Sequence, residues 1–180
     1  MSPFIGLKFG GQVTPVFVDL EDGASNAKTT IGVSVAILTD NIFGLDGELG
    51  HTPRFFEQSG ASDLIARSNV TTVIGSVILA VPRRITRDSL RPYAAAGVGL
   101  MRVSVDDVND LLPVRENLFA LSVGGGAIGR LTNRTSVRID VRHIRNIKKH
   151  DPQSTPGFLQ LTGLSFWRAT VGVALMGNLF

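Results

Sequence analysis

The sequence predicts an all-β protein: one closed, antiparallel, up-and-down barrel of eight strands that crosses a membrane, formed by residues 1–180 as a single domain. Three observations favour this fold class. The composition is too poor in charged residues for a soluble domain, eight segments alternate with the period of a β-strand, and the connections between them alternate between short and long.

The composition separates this chain from soluble, disordered and disulfide-linked proteins. Charged residues make up 18% of the chain, whereas a typical soluble domain has about 25%. Lys and Glu, which commonly cover soluble surfaces, occur only four times each. Hydrophobic residues make up 43% and the net charge is only +3, which excludes intrinsic disorder. The lack of Cys excludes a disulfide scaffold and a thiolate metal site.

The chain does not have the pattern of a helical membrane protein. A spanning helix needs about 18 or more consecutive apolar residues. The two longest apolar uncharged runs, Ser68–Pro82 and Pro152–Trp167, are both interrupted by polar residues. The N-terminus has neither the basic region nor the apolar core of a signal peptide. Either the protein is cytoplasmic or the chain is a mature form with an added start Met and its signal peptide not present. The strand pattern described next favours the mature form of an exported protein.

Eight segments rich in β-branched and small residues are predicted as strands. They are Phe4–Val13, Lys28–Leu38, Phe43–Thr52, Arg67–Val81, Pro92–Val105, Glu116–Arg130, Thr135–Lys148 and Gly163–Leu179. The connections after strands two, four and six are mostly short, and those after strands one, three, five and seven are longer. Alternate connections of a meander lie at the same end, so this asymmetry indicates a barrel of the outer-membrane type.

Polarity alternates most clearly in the seventh segment, where Val137, Ile139 and Val141 are interleaved with charged residues. Alternation alone does not say which face is outside, because a soluble ligand-binding barrel would put its apolar face inward. The polar set of the other strands consists of Gly, Ser, Ala and Thr with few charges. Such a set suits a narrow, filled interior better than a solvated surface, which favours the membrane barrel.

Three stretches resemble the small eight-stranded outer-membrane barrels of the OmpA/OmpX-like family: Arg91–Gly99, Val137–His143 and the terminal Phe180. The resemblance implies a bacterial outer-membrane location, contact with outer-membrane lipid or detergent, and a monomer. It also implies that the C-terminal strand is recognised by the barrel-assembly machinery, with Phe180 as the assembly signal.

Charged residues on the polar face are expected to pair inside the lumen, because an unpaired buried charge is costly. The predicted network contains Lys8, Asp46, Glu48, Arg102, Arg130, Arg138, Asp140 and Arg142, and Arg168 is a further candidate for the inward set. It resembles the lumenal ion-pair network of the OmpA-type barrel. Strands three and seven lie opposite each other in an eight-strand ring, so Glu48 is expected to meet Arg138 or Arg142. Tyr93 and Trp167 are the predicted interface aromatics.

The predicted function is a structural or surface-interaction role through four long loops, without catalysis, cofactor, metal or nucleic acid. Some eight-stranded barrels are lipid A deacylases with a His, a Ser two residues later and then an Asn. The matching stretch here is His143-Ile144-Arg145-Asn146, and Arg145 cannot act as the nucleophile. Two alternatives stay open: a small channel or conduit for a hydrophobic ligand, and a soluble ligand-binding barrel.

Overall fold

The computed structural model describes residues 1–14, 27–39, 41–54, 65–86, 90–107, 114–132, 134–147 and 162–175. The strands are β1 Ser2–Thr14, β2 Lys28–Leu38, β3 Phe43–Pro53, β4 Ile65–Ala80, β5 Leu90–Asp107, β6 Val114–Arg130, β7 Thr135–Ile147 and β8 Thr162–Leu175. A single helical turn, α1 Arg83–Thr86, lies between β4 and β5. No helix within the described ranges is long and apolar enough to cross a membrane.

Each strand pairs antiparallel with the next, and β1 pairs with β8 to close the ring, which confirms the predicted fold class. Following the paired residues from Lys8 through β8, β7, β6, β5, β4 and β3 leads back to β2 at Leu38, ten positions beyond Lys28, the direct partner of Lys8. This stagger tilts the strands by about 40° and places the backbone about 8 Å from the barrel axis. The lumen is therefore narrow.

The two ends of the barrel differ. The end that carries connections 39–42, 81–89 and 131–134 is called the turn end, and the opposite end, with connections 15–27, 54–64, 108–113 and 148–161, the long-loop end. At the turn end Arg91 donates hydrogen bonds from Nε to the carbonyl of Val81 at 2.8 Å, and from Nη2 to the carbonyls of Thr39 and Asn41 at 2.9 and 2.5 Å. One guanidinium thus connects two neighbouring turns.

The apolar face of the sheet points outward. Ile5, Leu45, Val98 and Ile139 are each more than half exposed, on four different strands. A soluble barrel would bury this face, so its exposure argues against the soluble alternative and fits a barrel surrounded by hydrocarbon.

Inside the lumen two apolar clusters lie on either side of a polar centre. Along β4 the buried residues pass from Val70 and Ile74, through Ser76, to Ile78 near the turn end. The cluster on the long-loop side comprises Val70, Ile74, Met101, Val103, Ala120, Ile144, Leu164 and Phe166. The cluster on the turn side comprises Ile78, Ala80, Tyr93 and Ala95, with Ala36, Leu38 and Ile128 packed against it.

Replacing Ile139 with Arg is expected to reduce the free energy of unfolding by about 2–4 kcal/mol if the position lies near the bilayer midplane, and by less nearer the interface. The side chain is 55% exposed on the outer face of β7, so the Arg would have to enter hydrocarbon. Denaturant unfolding in lipid vesicles measures the difference, with Ile139→Leu as the control. Equal stability of the Arg variant and the parent would mean that this face does not contact lipid.

Replacing Gly99 with Ala is expected to destabilise the barrel by about 1–3 kcal/mol or more. A Cβ at Gly99 would lie 1.9 Å from the carbonyl oxygen of Val73, so backbone would have to move. The matched control is Gly47→Ala, because a Cβ there has nothing within 4 Å. Heat-dependent gel mobility and denaturant unfolding measure both variants, and equal stabilities would contradict the close approach of β4 and β5.

Candidate functional site: the lumenal ion-pair network

Within the described part of the chain, seven charged side chains are buried in the middle of the lumen. They are Lys8 on β1, Asp46 and Glu48 on β3, Arg138, Asp140 and Arg142 on β7, and Arg168 on β8. Each lies on the inward parity of its strand, between neighbours that face lipid. The acids of β3 face the arginines of β7 because these strands lie four apart in a ring of eight.

Asp46 is the carboxylate that joins the two sides of the lumen. Arg138 donates from Nη1 to Oδ1 and from Nη2 to Oδ2, both at 2.9 Å, in a bidentate pair. Arg142 Nη2 donates to Oδ2 of the same carboxylate at 2.6 Å. Charge-assisted bidentate pairs are among the strongest hydrogen bonds in proteins, so Asp46 anchors β3 to β7 across the barrel.

Asp140 is the second shared acceptor and lies between the two arginines on its own strand. Arg142 Nε donates to Oδ1 at 2.7 Å, and Arg138 Nη2 donates to Oδ2 at 3.3 Å. The Tyr93 hydroxyl also donates to Oδ2 and accepts a hydrogen bond from Arg138 Nε at 2.7 Å. Asp140 therefore spaces Arg138 and Arg142 and links them to β5.

The prediction that Tyr93 is an interface aromatic is wrong. Its side chain is only 6% exposed and points into the lumen, where the Arg138 guanidinium carbon lies 5.2 Å from the ring centroid. An inward hydroxyl is satisfied by the charged groups of the network, whereas a girdle position would direct it toward lipid headgroups.

Glu48 forms an ion pair with Arg142, one of its two expected partners, but not with Arg138, which pairs with Asp46. The distance from Arg142 Nη1 to Glu48 Oε2 is 4.0 Å. The direct hydrogen-bond donor to Glu48 is Arg168 Nη2. Arg168, the further candidate for the inward set, is thus a member of the network, on the same parity as Phe166 and Thr170.

Arg168 packs its guanidinium against an aromatic ring as well as a carboxylate. Its Cζ lies 5.6 Å from the ring centroid of Phe4, and Nη1 donates to the Thr72 hydroxyl at 3.5 Å. A Cβ at Gly50 would lie 2.8 Å from this Nη1. The glycine on β3 thus leaves room for the arginine, and the cation–π contact stabilises a charge removed from water.

The glycine run on β6 leaves room for Arg142 in the same way. A Cβ at Gly124 would lie 2.9 Å from Arg142 Cγ, and one at Gly126 would lie 2.8 Å from the Tyr93 hydroxyl. The lumen at this height is filled by long side chains from β5 and β7, so the strand between them has no inward side chain.

The cations of the network lie side by side on neighbouring strands. Lys28, Lys8, Arg168 and Arg142 occupy directly paired positions on β2, β1, β8 and β7. Like charges at paired positions are destabilising by themselves. The two arginines of this row are offset by Asp46 and Glu48 on β3, across the lumen, and by Asp140 on β7.

Three other predicted site residues lie apart from the central network. Arg102 is exposed on the outer face, which corrects its lumenal assignment: the inward residues of β5 are the flanking Met101 and Val103. Arg130 has the inward parity but lies exposed where β6 ends at the turn end. Trp167 is 43% exposed on the outer face, with its ring centroid 4.9 Å from that of His143. Phe180 lies outside the described residues.

The charged groups of the network are hydrogen-bonded mainly to one another. Three guanidinium groups contact three carboxylates, and the hydroxyls of Ser34 and Ser76 accept hydrogen bonds from Arg138 and Arg142 at 3.4 and 3.0 Å. No group of three or more metal-ligating side chains occurs among the described residues. Removing one member of such a cluster leaves its partner as an uncompensated buried charge. This lowers the stability of the barrel more than removing both members of the pair.

A double-mutant cycle tests the partner of Glu48. Glu48→Gln alone is expected to reduce the free energy of unfolding by about 3–5 kcal/mol, because the buried Arg168 loses its counter-charge. Combining it with Arg168→Gln is expected to recover about 1 kcal/mol or more relative to additivity. Denaturant unfolding in detergent micelles provides the four stabilities.

The matched control is the cycle of Glu48→Gln with Arg138→Gln, since Arg138 pairs with Asp46 instead. We expect a smaller coupling energy in this cycle, because Arg138 is connected to Glu48 only through Arg142 and Asp46. Stronger coupling to Arg138 than to Arg168 would contradict the register of β3 against β7 and β8.

The barrel is similar to several solved outer-membrane barrels. Neisserial surface protein A (NspA) aligns with a TM-score of 0.66 and 15% identity, over 96% of this chain and 92% of that chain. The attachment invasion locus protein Ail of Yersinia pestis aligns with a TM-score of 0.54 and 12% identity, over 97% and 95%. The outer membrane enzyme PagL aligns with a TM-score of 0.50 and 16% identity, over 94% and 97%. The TM-scores show that these proteins share the fold of this chain.

Sequence comparison assigns the family. A search of curated proteins found no match. The family model described as the outer membrane protein beta-barrel domain matches residues 3–175, which is nearly the whole chain. This match and the similar structures confirm the resemblance to small eight-stranded outer-membrane barrels and indicate a bacterial outer-membrane location. The chain belongs to the outer membrane protein beta-barrel domain family.

Proposed function

We propose that this barrel has a structural or surface-interaction role in the outer membrane, carried by the four long connections, without catalysis. The observation that carries the proposal is the filled lumen. Arg142 and Arg168 are at most 1% exposed, and apolar clusters pack on both sides of the charged centre. A barrel whose interior is occupied in this way offers its partners the outer surface and the loops.

The similar structures support a surface role in part. One is described as a surface protein and another as an attachment invasion locus protein. These descriptions belong to those proteins. They support the proposal because this barrel shares their fold and has four of its seven connections, 15–27, 54–64, 108–113 and 148–161, at the long-loop end. We further propose a monomer that contacts outer-membrane lipid directly and is assembled through its C-terminal strand.

The similarity to PagL makes an enzyme the obvious alternative. In the stretch considered for catalysis, His143 lies on the outer face beside Trp167, and Asn146 is buried on the inner face. Arg145, on the outer face between them, has no nucleophilic oxygen. The stretch therefore lacks the nucleophile that the pattern requires, which supports the non-catalytic proposal.

The channel alternative requires water to pass the ion-pair network. The bidentate Asp46–Arg138 pair and the Glu48–Arg168 pair both cross the lumen. Even with these pairs open, Phe166 and Met101 would remain packed toward the long-loop end. A continuous path therefore needs two separate rearrangements, which supports the structural role over conduction.

The reconstituted barrel is expected to give no steady single-channel conductance in planar bilayers. Arg138→Gln should also stay silent, because the apolar clusters persist when one ion pair is removed. Recordings of both proteins at several salt concentrations provide the measurement. Steady conductance of the parent that changes with Arg138→Gln or Glu48→Gln would overturn the proposal in favour of a channel.

A further inference from the structure

The outer surface of β3 to β6 changes from apolar to polar within one step along the strands. Four paired outward residues form an apolar row: Leu49, Val73, Leu100 and Phe119. The next outward residues toward the long-loop end form a polar row: His51, Thr71, Arg102 and Asn117. Such a step marks the depth at which hydrocarbon gives way to lipid headgroups.

Arg102 is the cation of this polar row. It is exposed, and none of the residues that the structure describes forms an ion pair with it. Its neighbours His51 and Thr71 bond to each other, from Nδ1 to Oγ1 at 2.9 Å. A guanidinium with five donors at a headgroup boundary therefore lacks an acceptor within the described chain.

An apolar groove lies on the same strands, deeper in the hydrocarbon zone. It has a volume of about 760 Å³ and is bordered by Val35, Ile37, Leu45, Val77, Val98 and Leu121. Its floor is made by Gly47 and Gly75, which are directly paired. A Cβ at Gly47 would meet nothing within 4 Å, and one at Gly75 only the Val98 carbonyl oxygen at 3.9 Å. The groove is a depression in the lipid-facing wall.

The groove and Arg102 are aligned along β5. Val98, Leu100 and Arg102 are successive outward residues of this strand. With a rise of about 3.3 Å per residue, Val98 at the edge of the groove lies about 13 Å from Arg102 along the strand, or about 10 Å deeper in the membrane at the tilt of about 40°. This separation suits a lipid whose phosphate is at Arg102 and whose acyl chain passes Leu100 into the groove.

We propose that this surface is a binding site for one phosphate-bearing lipid of the leaflet at the long-loop end, a proposal that deepens the direct lipid contact proposed above. The phosphate accepts hydrogen bonds from Arg102, and an acyl chain fills the groove over Gly47 and Gly75. The positive charge of Arg102 favours a phosphate headgroup. An acyl chain in the groove is favoured because an empty groove would lack van der Waals contacts with the lipid.

Native mass spectrometry from maltoside micelles tests the site. Dimyristoyl phosphatidylglycerol is titrated against the parent, and dimyristoyl glycerol, with the same chains and no phosphate, serves as the matched ligand. We expect phosphatidylglycerol to bind about fivefold more tightly than the diacylglycerol, and Arg102→Gln to remove this difference. Gly47→Leu, which fills the groove, should weaken both lipids.

The protein control is Arg134→Gln, an exposed arginine at the turn end, which should bind both lipids as the parent does. Heat-dependent gel mobility verifies that every variant is folded. Unchanged phosphatidylglycerol binding in Arg102→Gln or in Gly47→Leu would overturn the site. Displacement of the lipid by millimolar inorganic phosphate would also overturn it, because the site would then recognise a free anion.

Discussion

The hydrogen-bonding needs of a backbone in hydrocarbon govern the rest of this structure. No water is available there to satisfy an open strand edge, so the sheet has to close on itself. Eight strands with a stagger of ten residues close into a narrow ring. The small radius makes inward side chains from opposite strands meet, so every buried charge has to find its partner among them.

This constraint explains which residue types occupy each inward position. Arg138 and Arg142 reach Asp46 across the lumen, and Gly124 on β6 leaves space for Arg142. The energetic value of such a cluster lies in specificity. A shift of register would separate Asp46 from both arginines and leave its buried carboxylate without a counter-charge.

The number of strands, their approximate bounds and the facing of most of them could be predicted, because period-two alternation and connection lengths are local properties of the sequence. The facing of β5 could not, because small and apolar residues occupy both of its parities. Arg102 and Tyr93 were both misplaced for this reason. The partner of Glu48 depends on the stagger of the closed ring, a property of the whole sheet that no single segment encodes. Arg138 and Arg168 are equally plausible partners until that stagger is known.

The row of Lys28, Lys8, Arg168 and Arg142 crosses the seam between β1 and β8. At this seam Lys8 faces Arg168, and the carboxylate that accepts a hydrogen bond from Arg168 is Glu48 on β3. Arg168 therefore meets this counter-charge only when β3 has reached its final position. Closure of the two terminal strands is thus favoured once the first half of the sheet has curved around the lumen, which disfavours premature closure of a smaller or misregistered ring.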